Sequence, residues 1–217
     1  TFGKQAMLGT NPIAFAMPAQ PTIYSFDAAT TVVPRGKLEV YVKRGNGLPV
    51  GWAVDEEGHD SDDADRVLKN IIAKTGGGIL PLGGAGEETS GYKGYGFALA
   101  VEFFSSILQD GAYGKALDGK DENGNIRPYQ LGHWFIAIDT DHFLGEDIAR
   151  KKAGDICRSM RASKKAPGAE RIYTAGEKEY EIRLSRESGV PINESVQKEF
   201  VAVRDELGLP YKFPFED

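Results

Sequence analysis

The chain has 217 residues, and its 26 lysines and arginines stand against 32 aspartates and glutamates, a formal net charge of −6. Hydrophobic residues make up 41% and charged residues 27%, which is typical of a globular protein with one large domain or two small ones. The negative charge argues against nucleic-acid binding, which needs a basic face. The apolar runs are too interrupted to span a membrane, no signal-peptide pattern is present, and the single cysteine, Cys157, cannot form an internal disulfide. These features predict a cytoplasmic protein.

Two β-rich runs come first along the chain. Residues 12–17 alternate large and small side chains, and residues 22–26 form a second run that ends on Asp27. Residues 29–43 leave two alternatives open. Their Thr and Val content favours a strand, whereas a helix with Pro34 in its first turn fits equally well.

A short strand and an amphipathic helix follow. Residues 51–55 predict the strand, and Asp60 or Ser61 is predicted to cap a helix with one apolar face, formed by Val67, Leu68, Ile71 and Ile72. Nine of the 27 glycines then lie in residues 76–96. Such a loop lets the backbone approach a ligand or makes several tight turns.

The strongest helix prediction covers residues 94–111, directly after the glycine loop. Apolar side chains repeat at helical spacing on two of its faces: Phe97, Val101, Phe104 and Leu108 on one, and Leu99, Phe103 and Ile107 on the other. A helix that is apolar around so much of its circumference is predicted to be central and buried.

The second half alternates strands and helices without a regular βαβ order. Residues 133–139 predict a strand and residues 144–163 a helix. A strand near 171–173 leads to a polar helix at 176–188, and a last helix starts at Asn193.

Several chemistries lack their motifs. The sequence has no G-x-G-x-x-G dinucleotide fingerprint, no P-loop and no G-x-S-x-G elbow. Its three histidines are scattered and its one cysteine stands alone, so no metal site is predicted. Composition and periodicity therefore give an acidic α/β protein whose glycine loop opens a helix.

Seven blocks of sequence, in order, resemble the type-2 malate/L-lactate dehydrogenase family. They cover almost the whole chain, and the ordered set is far more specific than any single block. The blocks are MLGTNPIAFAMP (7–18), FDAATTVVPRGK (26–37), LPVGWAVDEEG (48–58), GYKGYGFALAVE (91–102), GHWFIAIDTDHF (132–143), PGAERIYTAGE (167–177) and SGVPI (188–192).

The resemblance implies an α/β fold with a non-Rossmann cofactor domain, in which helices flank a largely antiparallel mixed sheet around a central buried helix. It places the main part of the NAD(P)-binding domain in residues 1–143 and a C-terminal helical segment, packing back on it, in residues 144–217. The family also has an N-terminal portion with an acid/base histidine and a substrate-binding arginine. No histidine here matches that catalytic one, so the sequence is expected to lack this portion.

The family blocks mark candidate residues around the second strand. Asp27 is predicted to orient the acid/base histidine of the intact enzyme, as a carboxylate does in a catalytic triad; the alternative is a cap for the following turn. Ala29, Thr30 and Thr31 match a stretch that contacts the cofactor, where small side chains, hydroxyls and backbone N–H groups admit and bind it. The alternative for these threonines is a helix cap, and both roles can hold together.

Two further blocks supply predicted cofactor contacts. Lys93 and Gly94 lie at the start of the glycine-preceded helix, where an ammonium group and free N–H groups suit a phosphate; the alternative for Lys93 is a solvated loop lysine. Gly176 and Glu177 match another contact, with Glu177 accepting bonds from ribose hydroxyls. A first-turn glutamate that stabilises its own helix is the equal alternative for Glu177.

By this resemblance the protein is expected to transfer a hydride between NAD or NADP and a small 2-hydroxy or 2-keto acid such as malate or lactate, as a homodimer. A cyclic imino-acid reductase of the same family is the alternative. Two other hypotheses stay open for this segment alone: a nucleotide-binding module without catalysis, or a folded core with an incomplete pocket.

Overall fold

The computed structural model describes residues 3–216 as a mixed α/β chain with helices and small antiparallel sheets. Its contacts divide it into two compact units, Thr1–Ala153 and Gly154–Asp217. Within residues 3–216, no helix is long and apolar enough to cross a membrane.

The two β-rich runs at the start form an antiparallel hairpin, which confirms the strand predictions there. Strand β1 spans Ile13–Met17 and β2 spans Tyr24–Ala28, so β2 begins two residues later than the sequence pattern suggested. In their register Ala14 pairs with Asp27 and Phe15 with Phe26.

A second antiparallel pair is shorter. Strand β3 spans Ala53–Val54 and β4 spans Gly78–Ile79, so the strand predicted over residues 51–55 is present but limited to two residues. Beyond β4, the N–H of Leu80 donates to the carbonyl of Trp52 at 2.9 Å, and the carbonyl of Leu80 accepts from Val32 at 2.9 Å. Backbone hydrogen bonds thus join chain segments well beyond the short ladders.

Residues 29–43 follow the helical alternative. Helix α1 spans Arg35–Arg44, and Pro34 sits at its N-cap, where the missing N–H of proline removes no helical hydrogen bond. Helix α2 spans Ala64–Ala73. The two helices pack against each other, and α2 also contacts β4. The main apolar core of this unit consists of Val33, Leu38, Leu48, Ala53, Ala64 and Val67.

The predicted cap of α2 was wrong by two or three residues. Asp63 is the N-cap, and its carboxylate accepts from the N–H of Arg66 at 3.0 Å. The carboxylate of Asp60 instead accepts from the N–H of Gly51 at 3.1 Å, and the hydroxyl of Ser61 accepts from the N–H of Asp63 at 3.3 Å. Asp60 and Ser61 therefore accept hydrogen bonds within the loop before the helix and do not cap it.

Helix α3 spans Gly91–Ser106, and its start packs against the backbone of residues 82–84. A Cβ on Gly94 would lie 2.5 Å from the nitrogen of Leu82, and one on Gly91 would collide with the carbonyl of Gly84. We call the contact of Gly91 and Gly94 with residues 82–84 the glycine seam. It brings helix and loop closer than any residue with a side chain would permit.

The prediction that α3 is buried around its circumference was wrong. The buried line consists of small or polar residues at helical spacing, Gly91, Gly94, Ala98, Glu102 and Ser106. Phe104 stacks on the ring of Trp134, with the ring centres 4.4 Å apart. The large apolar side chains predicted for the core are nevertheless substantially exposed: Phe97, Phe103, Phe104, Ile107 and Leu108. Regular α-helix ends at Ser106, and a 3₁₀ turn follows at Ile107–Gln109.

Two predicted strands are absent from the described residues. Residues 133–139 have no strand partner there, and Phe135 in this segment is 86% exposed. A strand forms only when its N–H and C=O groups pair with a neighbour, so the β-rich composition alone does not produce one. Residues 171–173 are likewise irregular.

The remaining helices match their predictions closely. Helix α4 spans Glu146–Arg161, α5 spans Glu177–Ser185 and α6 spans Glu194–Glu206. Asn193 caps α6 by accepting from the N–H of Val196 at 3.1 Å, as the position of the helix start predicts.

The glycine seam gives a stability prediction. Gly94→Ala places a methyl group against the backbone of Leu82, which must shift, so we expect the free energy of unfolding to fall by about 1 to 3 kcal/mol. Gly96→Ala is the matched control, because a Cβ at Gly96 meets nothing within 4 Å and alanine favours the helix by up to about 1 kcal/mol. Urea denaturation measures both, and equal effects of the two substitutions would contradict this packing.

The carboxylate of Glu56, two residues after β3, gives a prediction about the pH dependence of stability. The Arg66 guanidinium, which donates to Glu56 at 2.6 Å, and the Asn70 amide, which donates at 2.5 Å, lower the pKa of the Glu56 carboxyl from 4.5 to about 2. Because the folded pKa lies below the ordinary value, this stabilisation is complete above pH 4.5 and is lost as the pH falls towards 2.

Glu56→Gln is therefore expected to destabilise the protein at pH 7 and to make little difference near pH 2. Urea denaturation across this pH range measures the difference. Glu57→Gln is the control, since Glu57 contacts Lys4 at the exposed surface, at 3.4 Å. A Glu56→Gln effect that stays constant from pH 7 to pH 2 would refute the assignment.

Candidate functional site

Asn11, in the turn before β1, connects that turn to α3. Its backbone has a φ of +38°, and its side-chain amide donates to the carbonyl of Ala98 at 3.0 Å and to the carboxylate of Glu102 at 2.7 Å. The other oxygen of Glu102 accepts from the N–H of Gly114 at 2.6 Å. One buried carboxylate therefore holds three chain segments together.

Thr30 lies directly beside this turn and is only 2% exposed. Its hydroxyl is within 3.0 Å of the carbonyls of both Thr10 and Asn11, and its N–H donates to Thr10 at 2.9 Å. The hydroxyl of the half-buried Thr31 donates to the carbonyl of Val33 at 2.9 Å. Both hydroxyls thus give their protons to the protein backbone, and the N–H and C=O of Thr30 are also used within the protein.

The glycine seam brings the Thr30 segment next to the start of α3. The carbonyl of Thr30 accepts from the N–H of Leu82 at 2.9 Å, and Leu82 is the residue whose backbone lies against Gly94. The structure therefore places two of the predicted cofactor contacts, Thr30 and Gly94, on either side of one residue. The close contact with the backbone of Leu82 also explains why position 94 is a glycine.

Asp27 and Lys93 adjoin this region by sequence, and both are exposed. Asp27 lies on β2, and no hydrogen bond or ion pair involves its carboxylate within residues 3–216. Ala29, two residues on, is half-buried.

Lys93 has no carboxylate partner in the described part of the chain, and its ammonium lies 5.8 Å from the centre of the Tyr92 ring. It stands in the first turn of α3, where the N–H of Gly91 donates to the carbonyl of Gly86 and the N–H of Lys93 to the carbonyl of Ser90, each at 3.0 Å. An unpaired cation at such a helix start attracts anions.

Gly176 and Glu177 belong to the C-terminal unit and start α5. Gly176 has a φ of +90°, a conformation that favours glycine. The Glu177 carboxylate accepts from the guanidinium of Arg161 and from the N–H of Thr174, the latter at 2.9 Å. Burial opposes ionisation of Glu177, but these two donors outweigh it and hold the pKa of its carboxyl below the ordinary value.

Sequence reasoning missed Asn11 and Glu102 as site-forming residues. The signal in the sequence was Glu102 itself, a glutamate in the middle of an apolar helix and four residues after the small Ala98. An unpaired carboxylate at such a position costs free energy of folding, so a partner is expected. Its partner could not be found in the same way, because Asn11 lies 91 residues away along the chain.

A solved structure gives the class of protein to which this fold belongs. The malate dehydrogenase from Entamoeba histolytica superimposes with a TM-score of 0.88 at 35% sequence identity, covering 98% of this chain and 59% of the other. The mixed α/β fold is therefore that of a group of dehydrogenases, which are oxidoreductases.

Sequence comparison gives the family. The malate/L-lactate dehydrogenase family model matches residues 1–201, and the chain belongs to that family. It is 37% identical over 212 residues to the malate dehydrogenase of Pyrococcus horikoshii, covering 96% of this chain and 56% of the relative. It is 30% identical over 209 residues to a Pseudomonas aeruginosa Δ1-pyrroline-2-carboxylate/Δ1-piperideine-2-carboxylate reductase, covering 93% and 55%. The chain thus spans little more than half the length of these curated relatives.

The buried carboxylate of Glu102 gives a testable prediction. Glu102→Ala leaves the Asn11 amide and the Gly114 N–H without their acceptor, so we expect a loss of about 2 to 4 kcal/mol in the free energy of unfolding. Glu39→Ala is the control, because Glu39 makes a surface pair with Arg35 worth less than about 0.5 kcal/mol. Guanidinium denaturation compares them, and equal losses would rule out the role assigned to Glu102.

Proposed function

We propose that this chain forms the nicotinamide-binding part of an oxidoreductase that acts on small 2-hydroxy and 2-keto acids. The observation that carries the proposal is the glycine seam, which holds the Thr30 segment against the start of α3, where Lys93 is exposed and unpaired within residues 3–216. Family membership supports the same conclusion.

The residues present fit a dinucleotide. Its diphosphate is an anion, and the exposed Lys93 ammonium at the start of α3 would bind it. Ala29, Thr30 and Thr31 are proposed, from family membership, to lie beside the nicotinamide and its ribose. Gly176 and Glu177 of the C-terminal unit are proposed, from family membership, as cofactor contacts, and the cofactor is either NAD or NADP.

The cofactor domain is proposed to be of a non-Rossmann type. Two features support this: the sequence lacks the G-x-G-x-x-G fingerprint, and both strand pairs of the described residues are antiparallel. A cofactor phosphate would then be bound at the start of a helix that follows a glycine loop, rather than at a parallel βα turn.

Asp27 is the residue of this chain proposed to act in the reaction. A bound nicotinamide would supply the hydride acceptor or donor for the α-carbon of the substrate. The family resemblance places the acid/base histidine and the substrate-binding arginine outside this sequence. The exposed Asp27 carboxylate would orient that histidine and stabilise its protonated form. The intact enzyme is proposed to be a cytoplasmic homodimer.

A second candidate is reduction of a cyclic imino acid, which the similarity to the Pseudomonas aeruginosa reductase favours. Both candidates share the cofactor site, so the residues that contact the substrate would decide between them. A nucleotide-binding module without catalysis remains the third possibility for the segment alone.

The cofactor site is tested by Lys93→Ala. Loss of the ammonium group removes a charge-assisted contact with phosphate, so we expect the affinity for NADH and NADPH to fall on the order of tenfold. Lys93→Arg should retain most of the affinity, and Lys37→Ala, on an exposed turn of α1, should leave it unchanged. Fluorescence titration of the reduced cofactors measures all three, and a Lys93→Ala protein that binds like wild type would exclude this site.

The reaction is tested by steady-state assays with malate, lactate, sulfolactate and a cyclic imino acid. The 217-residue chain alone is expected to bind reduced cofactor without turnover, because the acid/base histidine is not in its sequence. Turnover by this chain alone would contradict the assigned division of roles, and turnover of one substrate after the N-terminal portion of a relative is added would identify the reaction.

A further inference from the structure

Residues 134–138 form a segment of the N-terminal unit whose backbone has no partners. None of their N–H or C=O groups takes part in a hydrogen bond within residues 3–216. All five side chains are exposed, with Phe135 at 86% and Ile138 at 68%. Their sequence, Trp-Phe-Ile-Ala-Ile, consists mainly of the aromatic and β-branched residues that strands favour. The segment therefore has the composition of a strand in a sheet but lacks the sheet.

The segment is fixed at both of its ends. Before it, the carbonyl of His133 accepts from the side-chain amide of Gln109 at 3.4 Å. After it, the Asp139 carboxylate accepts from the N–H of Asp141 at 3.0 Å and caps the 3₁₀ turn at Thr140–His142. The five residues between these contacts are thus held in place while their backbone groups stay open.

The same segment adjoins the exposed apolar side of α3. Trp134 stacks on Phe104, and Ile107 and Leu108 follow Phe104 at helical spacing, 65% and 63% exposed. We call residues 134–138 together with Phe104, Ile107 and Leu108 the open apolar surface. Continuous apolar surfaces of this kind mark protein–protein contacts.

The open apolar surface needs a neighbour on both edges of residues 134–138. Alternate residues of a strand direct their N–H and C=O groups to opposite edges, and here the groups of both edges are unpaired among the described residues. A second copy of this chain, pairing the same segment about a two-fold axis, would cover one edge and leave the other open. The surface therefore fits a larger piece of polypeptide that supplies more than one strand.

The relatives contain polypeptide of that kind in addition to the part matched here. The Entamoeba histolytica malate dehydrogenase superimposes on 98% of this chain, yet the match covers only 59% of that enzyme. The β1–β2 hairpin is open as well, since the central residues of both strands are exposed and a lone two-stranded sheet is only marginally stable. Incomplete sheets here and unmatched polypeptide in the relatives are complementary observations.

We infer that the open apolar surface binds the portion of a family dehydrogenase that this chain does not span. Strands of that portion would pair with residues 134–138, and its apolar side chains would pack on Phe104, Ile107 and Leu108. Main-chain hydrogen bonds give such an interface its affinity, and the alternate side chains give it specificity. The inference is independent of the proposed cofactor role, because it uses none of the residues assigned to the cofactor.

Co-expression tests this interface. The full 217-residue chain, carrying an affinity tag, is produced together with the part of the Pyrococcus horikoshii malate dehydrogenase that lies outside its match to this chain. We expect the two polypeptides to co-purify in equal amounts. We also expect hydrogen exchange at the amides of residues 134–138 to be slower in the complex than in the chain alone, on the order of a hundredfold.

Two substitutions separate the backbone from the side chains. Ile136→Pro removes a strand donor and should abolish co-purification, while the melting temperature of the chain alone stays unchanged because residue 136 makes no backbone hydrogen bond within residues 3–216. Phe135→Ser removes a large apolar side chain from the interface and should reduce the recovered partner on the order of tenfold. Ile126→Ser is the matched control, since Ile126 is 92% exposed outside the open apolar surface, and it should behave as wild type.

The inference is overturned if the wild-type chain does not retain the partner, or if both Ile136→Pro and Phe135→Ser retain it as wild type does. Slow exchange of residues 134–138 in the chain alone would overturn it as well. If that slow exchange occurs in a dimer that Ile136→Pro separates, the surface belongs to a second copy of this chain instead.

Discussion

The close approach of α3 to the loop at residues 82–84 is the contact on which the rest of the N-terminal unit depends. Only glycine at positions 91 and 94 permits it, because a Cβ at either position would overlap the loop backbone. Leu82 then lies between α3 and Thr30, whose carbonyl it binds. The turn at Asn11 joins the same assembly through Glu102. Steric exclusion at the glycines and one buried carboxylate therefore arrange segments that are far apart in sequence.

This arrangement also determines which polar groups remain free for a ligand. The hydroxyl protons of Thr30 and Thr31 are used within the protein, and Glu102 is saturated by donors. The exposed charges at Asp27 and Lys93, in contrast, have no partner within residues 3–216. The proposed oxidoreductase role uses both.

In the C-terminal unit an ion pair, rather than close backbone packing, fixes the start of a helix. Arg161 of α4 holds Glu177 at the first turn of α5, and the N–H of Thr174 completes its acceptors. A carboxylate bound in this way stabilises the helix and is also shielded from an approaching anion. This pairing with Arg161 and Thr174 explains why Glu177 starts the helix, and it is compatible with the proposed cofactor contact.

The sequence by itself determined the helices from α2 onwards to within a few residues, the first hairpin and, through its ordered blocks, the family, because these follow from local periodicity and short motifs. Tertiary structure alone decided what is buried. The large apolar side chains of α3 remain exposed, whereas Gly91, Gly94 and Glu102 are buried. The reason is that burial depends on which segments of the chain pack against each face of the helix. The strand predicted at 133–139 is missing for the same reason: a strand needs a partner for its backbone hydrogen bonds, and no local pattern can supply one.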